Sequence, residues 1–134
     1  MNTATRSPFK VFLVEDSSLL RRRIASLIEP GGDVSVVGEA EDVGAALAGI
    51  ERSEADAAIV DLRLTDSYGL DLLTDLAQQD RRVVTIVLTN YSTPEFRNAC
   101  FAAGADYFFD KTSEFDLARD TIARLARARP QPVS

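Results

Sequence analysis

Four short apolar runs, each unbroken and each followed by polar residues, constrain this chain more than any other feature. They are Val11-Phe12-Leu13-Val14, Ala57-Ala58-Ile59-Val60, Val83 to Leu88 with Thr85 inside it, and Tyr107-Phe108-Phe109. A strand covered on both faces needs no polar alternation, so runs of this kind read as buried parallel strands with crossover helices packed on either side. A fifth stretch, Asp33 to Ala40, alternates Val34, Val36 and Gly38 and reads as a more exposed strand. Crossovers between parallel strands are right-handed, which leaves few topologies. The predicted fold class is α/β: a doubly wound, five-stranded parallel sheet flanked by five helices.

The intervening segments support helices. Ser17 or Ser18 can cap the first, whose Leu20, Ile24, Leu27 and Ile28 follow helical spacing, and Pro30-Gly31-Gly32 ends it. Asp42 can cap a second, running to about residue 50. A third is predicted from about Leu70 to Gln79, burying Leu72, Leu73 and Leu76. Thr93-Pro94-Glu95 opens a fourth, with proline at the first helical position, carrying Phe96, Cys100 and Phe101 up to Gly104. Ser113 is predicted to cap the fifth, with Phe115, Ala118, Ile122 and Leu125 at core spacing. The strands are predicted over Phe9 to Val14, Asp33 to Ala40, up to Asp61 for the third, Arg82 to Leu88, and Asp106 to Asp110.

In a parallel α/β sheet, ligands bind in the crevice beyond the carboxyl ends of the strands. Five polar residues stand there, just past the apolar runs: Glu15 and Asp16, then Asp61, Thr89 and Lys111. Three acids held together repel, each ionised pair at about 4 Å costing about 4 kcal/mol at an effective dielectric of about 20. Such clusters share a proton or bind a cation. Hard oxygen donors favour Mg²⁺ or Mn²⁺ over zinc, and Mg²⁺ is commonly completed by water and phosphate oxygens. A lysine puts a point positive charge on a phosphate, and a threonine hydroxyl can donate to a phosphoryl oxygen. Phosphoryl transfer depends on placement and charge neutralisation, which such a set supplies. With strands in the order 2-1-3-4-5, the acid between the metal pair and the lysine is Asp61, and a carboxylate attacking phosphorus gives an aspartyl phosphate.

Composition narrows the alternatives. The 134 residues suit one domain with a real core, and no apolar stretch is long enough to cross a bilayer. The N-terminal Met-Asn-Thr-Ala-Thr-Arg-Ser-Pro lacks an apolar signal core, so a cytoplasmic location with no membrane partner is expected. Cys100 is the only cysteine and reads as helix packing. There is no histidine, which removes histidine acid–base chemistry, common zinc sites and a phosphohistidine carrier role. A net charge of −6 argues against direct nucleic-acid binding. Arg21-Arg22-Arg23 and the arginines near the C-terminus read as solvated helix faces. Two lysines, Lys10 and Lys111, stand against thirteen arginines, which singles out a lysine at a strand end.

Taken in order and spacing, Val-Glu-Asp after the first strand, Val-Asp-Leu-Arg-Leu around Asp61, Leu-Thr at 88–89, Ala-Ala-Gly-Ala-Asp at 102–106 and Asp-Lys at 110–111 resemble the receiver domain of two-component response regulators. The resemblance covers roughly residues 9–127, between an N-terminal extension (1–8) and a tail (128–134) expected to be disordered. It implies a flavodoxin-like sheet ordered 2-1-3-4-5. It also implies a stand-alone response regulator whose Asp61 accepts a phosphoryl group, in the presence of Mg²⁺, from a sensor histidine kinase or phosphotransfer protein. Glu15, Asp16 and Asp61, with the backbone carbonyl of Arg63, would hold the metal. Thr89 and Lys111 would hold phosphoryl oxygens. Thr89 and Phe108 would form the switch, with Tyr107 the competing aromatic, and helix four, strand five and helix five would present the signalling face and a possible homodimer contact to an unknown downstream protein. The chain would be a phosphoacceptor with slow autodephosphorylation and not a turnover enzyme.

Departures from the family pattern are Thr112 after the lysine, where proline in a cis peptide is frequent, Thr65 where proline is common, and Asn90 where a smaller residue often follows the threonine. Arg63 and Tyr91 occupy variable flanking positions. The competing readings are a pseudo-receiver serving as a constitutive interaction module and, third, a turnover hydrolase of similar fold. The latter is disfavoured because no second acid is suitably placed two residues beyond Asp61.

Overall fold

The computed structural model describes residues 7–62 and 69–128. Ten elements alternate along the chain: β1 (Phe9–Val14), α1 (Ser18–Ile28), β2 (Val34–Ala40), α2 (Val43–Ser53), β3 (Ala57–Val60), α3 (Gly69–Ala77), β4 (Val84–Thr89), α4 (Pro94–Ala102), β5 (Tyr107–Asp110) and α5 (Phe115–Ala128). The strands form one parallel sheet in the order β2-β1-β3-β4-β5. The central strands β1 and β3 are buried on both faces, as their unbroken apolar runs require, and β2 at the edge is only half-buried. One core layer joins the sheet to α2, α3 and α4, through Ile50, Leu72, Leu73, Leu76 and Cys100. The other joins it to α1 and α5, through Ile24, Ile28, Ala118, Ile122 and Ala126.

The caps show which sequence signals governed the ends. Ser17 Oγ accepts the Leu20 amide, Asp42 Oδ1 accepts that of Ala45, and Thr93 Oγ1 accepts that of Phe96. Gly104, at φ +111°, lies two residues beyond α4. Against the core, the Phe12 ring lies over Gly38 and Gly49, where an added Cβ would come within 2.5 Å of ring atoms. The two glycines thus let an aromatic ring sit between β2 and α2.

Several boundaries differ from expectation. Helix α2 continues to Ser53, and Glu54 closes it in the left-handed region at φ 54°. Helix α3 stops at Ala77, two residues early. Strand β4 begins at Val84 and includes Thr89, since pairing with β3 starts where Ala57 meets Val84, while Arg82 is turned toward Asp106. Ser113 does not cap α5. Asp110 accepts the amides of Thr112 and Ser113, and its own carbonyl accepts the Glu114 amide, so a turn intervenes and the helix starts at Phe115. Of the tail expected to be disordered (128–134), Ala128 is instead the last residue of α5, and the rest lies outside the described residues, as does most of the N-terminal extension. No helix is long and apolar enough to cross a membrane among the described residues.

Candidate phosphoacceptor and metal site

Register assembles the site. Val14 pairs with Val60, so Glu15 and Asp61 leave their strands at the same level of the sheet. The Glu15 amide donates to the Ala40 carbonyl and the Asp61 amide to the Val14 carbonyl, which carries the ladder one step past each strand. On the far side Thr89 pairs with Asp110, and the Lys111 amide donates to the Thr89 carbonyl. Residues separated by up to 96 positions therefore meet over one edge of the sheet.

Lys111 reaches across that edge. Its Nζ lies 2.6 Å from Asp61 Oδ2 and 2.8 Å from Glu15 Oε1. No peptide bond is cis among the described residues, so the lysine makes this reach with Thr112 after it and a trans peptide between them. Glu15, Asp16 and Asp61 each place a carboxylate oxygen within 4.8 Å of the others, with Asp16 the most open to solvent. Burial pushes the Glu15 carboxyl from 4.5 up to about 7, even though Lys111 and the Ser17 amide donate to it and favour its charged form. Burial alone would lower Lys111, but its bonds to Asp61 and Glu15 outweigh that and raise it, so the ammonium stays charged.

Among the described residues, three acids cluster here and two of them share the Lys111 ammonium, where water is partly excluded. The donor set is all oxygen, and its spacing fits a hard divalent cation completed by water and phosphate oxygens. The residues present therefore fit Mg²⁺. Arg63, expected to offer its carbonyl, lies outside the described residues.

Thr89 is wholly buried at the end of β4, and its hydroxyl accepts the Tyr91 amide at 3.1 Å. Acceptance leaves the hydroxyl proton available to donate elsewhere. Behind it the three aromatics of β5 alternate. Phe108 turns into the α3–α4 layer, 6.5 Å from the Phe101 ring and 5.7 Å from the Arg97 guanidinium. Tyr107 and Phe109 stack on the opposite face. Of the two candidate aromatics, only Phe108 shares a layer with α4.

Two loops that frame the site are tied across it. Ser92 Oγ donates to Asp110 Oδ2 at 2.7 Å, and Thr112 Oγ1 donates to Asn90 Oδ1 at 3.1 Å. The amide of Ser113, the hydroxyl of Ser92 and the amide of Thr112 hold the Asp110 carboxyl down at about 2. Cys100 is buried, and burial pushes its thiol up to about 11, in keeping with a packing role.

Arg21 departs from the solvated-face expectation. Its side chain is only 14% exposed, and its Nη1 donates to the Glu15 carbonyl at 2.6 Å. The signal was present in the sequence: Arg21, Ile24 and Ile28 share a helical face, and the two isoleucines are core. Reading Arg21-Arg22-Arg23 as a block concealed it.

The family model of the response regulator receiver domain matches residues 11–123. Among curated proteins, the DNA-binding transcriptional activator DevR/DosR of Mycobacterium tuberculosis is 33% identical over 82% of this chain and 51% of its own length. The nitrate/nitrite response regulator NarP of Escherichia coli is 31% identical over 87% of this chain and 54% of its own. The chain spans about half the length of such relatives. Among solved structures, a LuxR-family two-component response regulator from Aurantimonas superposes with a TM-score of 0.82 at 26% identity, covering 92% of this chain and 88% of that one.

Proposed function

The chain belongs to the response regulator receiver family, and from that premise we propose that it is a phosphorylation switch in which Asp61 accepts a phosphoryl group. Receiver domains are phosphoacceptors served by histidine kinases or phosphotransfer proteins. The observation that carries the proposal here is the Lys111 ammonium bridging Asp61 and Glu15 inside a cluster of three carboxylates.

In the proposed step an Asp61 carboxylate oxygen attacks phosphorus and forms the new P–O bond. The P–N bond of a partner's phosphohistidine breaks, and the imidazole leaves with its electron pair. Lys111 is already hydrogen-bonded to Asp61, so its charge lies where the incoming phosphoryl oxygens gather. Thr89 donates its free hydroxyl proton to one of those oxygens while still accepting from Tyr91. When bound, Mg²⁺ supplies the remaining positive charge, held by Glu15, Asp16 and Asp61 with the Arg63 carbonyl. Asp61 is 6% exposed, which limits the access of bulk water to it.

Output is proposed to pass from Thr89 to Phe108 and on to the face formed by α4, β5 and α5. A shift of Thr89 toward the phosphoryl group alters the volume behind it, which Phe108 already shares with Phe101 and Arg97. Close-packed layers respond to such a change by repacking, so the exposed Tyr91 and Phe101 would change their presentation to a downstream protein or a second copy.

Incubation with Mg²⁺ and acetyl phosphate, followed by intact mass measurement, tests the proposal. One phosphoryl group is expected on the wild type and none on Asp61→Asn. Equal addition to both would remove Asp61 as acceptor. No addition together with no Mg²⁺ binding would turn the reading to a constitutive interaction module.

A further inference from the structure

Of the three arginines that open α1, Arg21 is the one turned inward, and it meets the acidic site through the main chain. We propose that Arg21, oriented by Glu39, is a positioning residue for the turn that carries Glu15 and Asp16. The proposal rests on the phosphoacceptor reading of that turn and names a part of the machinery outside the five residues in it.

The peptide of Glu15 is held from two sides. Its amide donates to the Ala40 carbonyl of β2 at 3.0 Å, and its carbonyl accepts Arg21 Nη1 at 2.6 Å. That carbonyl belongs to the peptide whose amide nitrogen is Asp16's, so fixing it also fixes the Asp16 backbone. The same guanidinium donates from Nε to Glu39 Oε1 at 2.7 Å, and Nη1 lies 3.9 Å from Glu41 Oε1. One rigid planar group thus ties α1 to the turn after β1 and to the end of β2. The fork fixes the angle between its donors, which a single ammonium on a flexible stem does not.

Glu39 gives the guanidinium an acidic partner on β2, and with the Glu15 carbonyl it fixes the direction of the fork. Constellations of this kind need their groups held within about 0.5 Å, and partners one layer out commonly alter metal affinity about 10–100-fold.

The test combines amide hydrogen exchange of the metal-free protein with calorimetric Mg²⁺ binding, for wild type, Arg21→Ala, Arg21→Lys and Glu39→Gln. Arg21→Ala is expected to speed exchange at residues 15–17 about tenfold or more, with β3 and β4 unchanged, and to weaken Mg²⁺ about tenfold. Arg21→Lys should recover only a minor part of either loss, because it cannot serve both acceptors. Glu39→Gln, a substitution at a half-exposed side chain, should weaken Mg²⁺ in the same direction by a few-fold. Wild-type exchange and affinity in Arg21→Ala would overturn the proposal, as would full rescue by lysine, which would reduce Arg21 to a mere positive charge. If Arg21→Ala fails to fold, Glu39→Gln decides, and an unchanged affinity there overturns it. A wild type that ignored Mg²⁺ would instead sink the phosphoacceptor reading, and the exchange data would judge the clamp alone.

Discussion

Both ends of the sheet carry buried or half-buried acids, and they use them in opposite ways. Where the strands begin, Asp56 accepts the Lys10 amide and faces Arg81, while Asp106 accepts the Thr85 amide and hydroxyl and faces Arg82. Each of these acids has a main-chain donor and a cation of its own, so its charge is satisfied and its effect is to fix where a strand starts. Where the strands end, Glu15, Asp16 and Asp61 crowd together, and Glu15 and Asp61 share the Lys111 ammonium. The difference is one of sharing: an acid with an arginine of its own fixes where a strand starts, whereas clustered acids that share one cation are of the kind that share a proton or bind a further cation.

Removing the cation at the crowded end should have the largest effect. Lys111→Ala leaves Glu15 and Asp61 buried without their partner, and at pH 8 in the absence of metal it is expected to cost about 3 kcal/mol in a denaturant melt. Adding Mg²⁺ should return much of that loss. Unchanged stability would mean that the acids do not depend on the lysine.

A change at the opposite end should be smaller and indifferent to metal. Asp106→Ala strips acceptors from the Thr85 amide, the Thr85 hydroxyl and Arg82, and is expected to cost about 2 kcal/mol. The same loss should appear with and without Mg²⁺, because well-separated sites add independently. A loss that Mg²⁺ relieves would show that the two ends are coupled and that the comparison is false.

Asp110 sharpens the contrast, being an acid at the ligand end that is nevertheless used structurally. Its folded value near 2 lies below the ordinary 3.8, so the stability it contributes is present above 3.8 and lost as pH falls toward 2. Asp110→Asn should therefore flatten the acid limb of the stability profile between about pH 4 and pH 2, with a modest effect at neutral pH. An acid limb identical to wild type would mean that Ser92, Thr112 and Ser113 do not hold the carboxylate in solution.

The sheet and its order were legible, and the five polar residues expected past the apolar runs stand at its carboxyl edge, because strand ends and sheet edge are the same place in a parallel α/β fold. An unbroken apolar run announces the strand, and the first polar residue after it lands on the ligand side. What stayed hidden depends on side-chain direction. Three adjacent arginines look alike as composition, yet helical phase sends Arg21 inward with Ile24 while Arg22 and Arg23 stay exposed. Ser113 looked like a cap because its residue type favours caps, whereas Asp110, three residues earlier, accepts the Thr112 and Ser113 amides and delays the helix to Phe115. Asp106 read as the first residue of β5, but its carboxylate is engaged at the start of β4.

The central claim is that the crowded acids are arranged to be neutralised by a cation, and one experiment tests it most directly. Thermal melts of wild type and Asp16→Asn would be compared in EDTA and across a Mg²⁺ titration. Relief of repulsion should raise the metal-free melting temperature of Asp16→Asn by about 3 °C, corresponding to about 1 kcal/mol for a domain of this size. Mg²⁺ at about ten times its dissociation constant should stabilise the wild type by about 1.4 kcal/mol and leave the variant where it was. A wild-type melt indifferent to Mg²⁺, together with an Asp16→Asn variant no more stable than wild type in EDTA, would contradict the account.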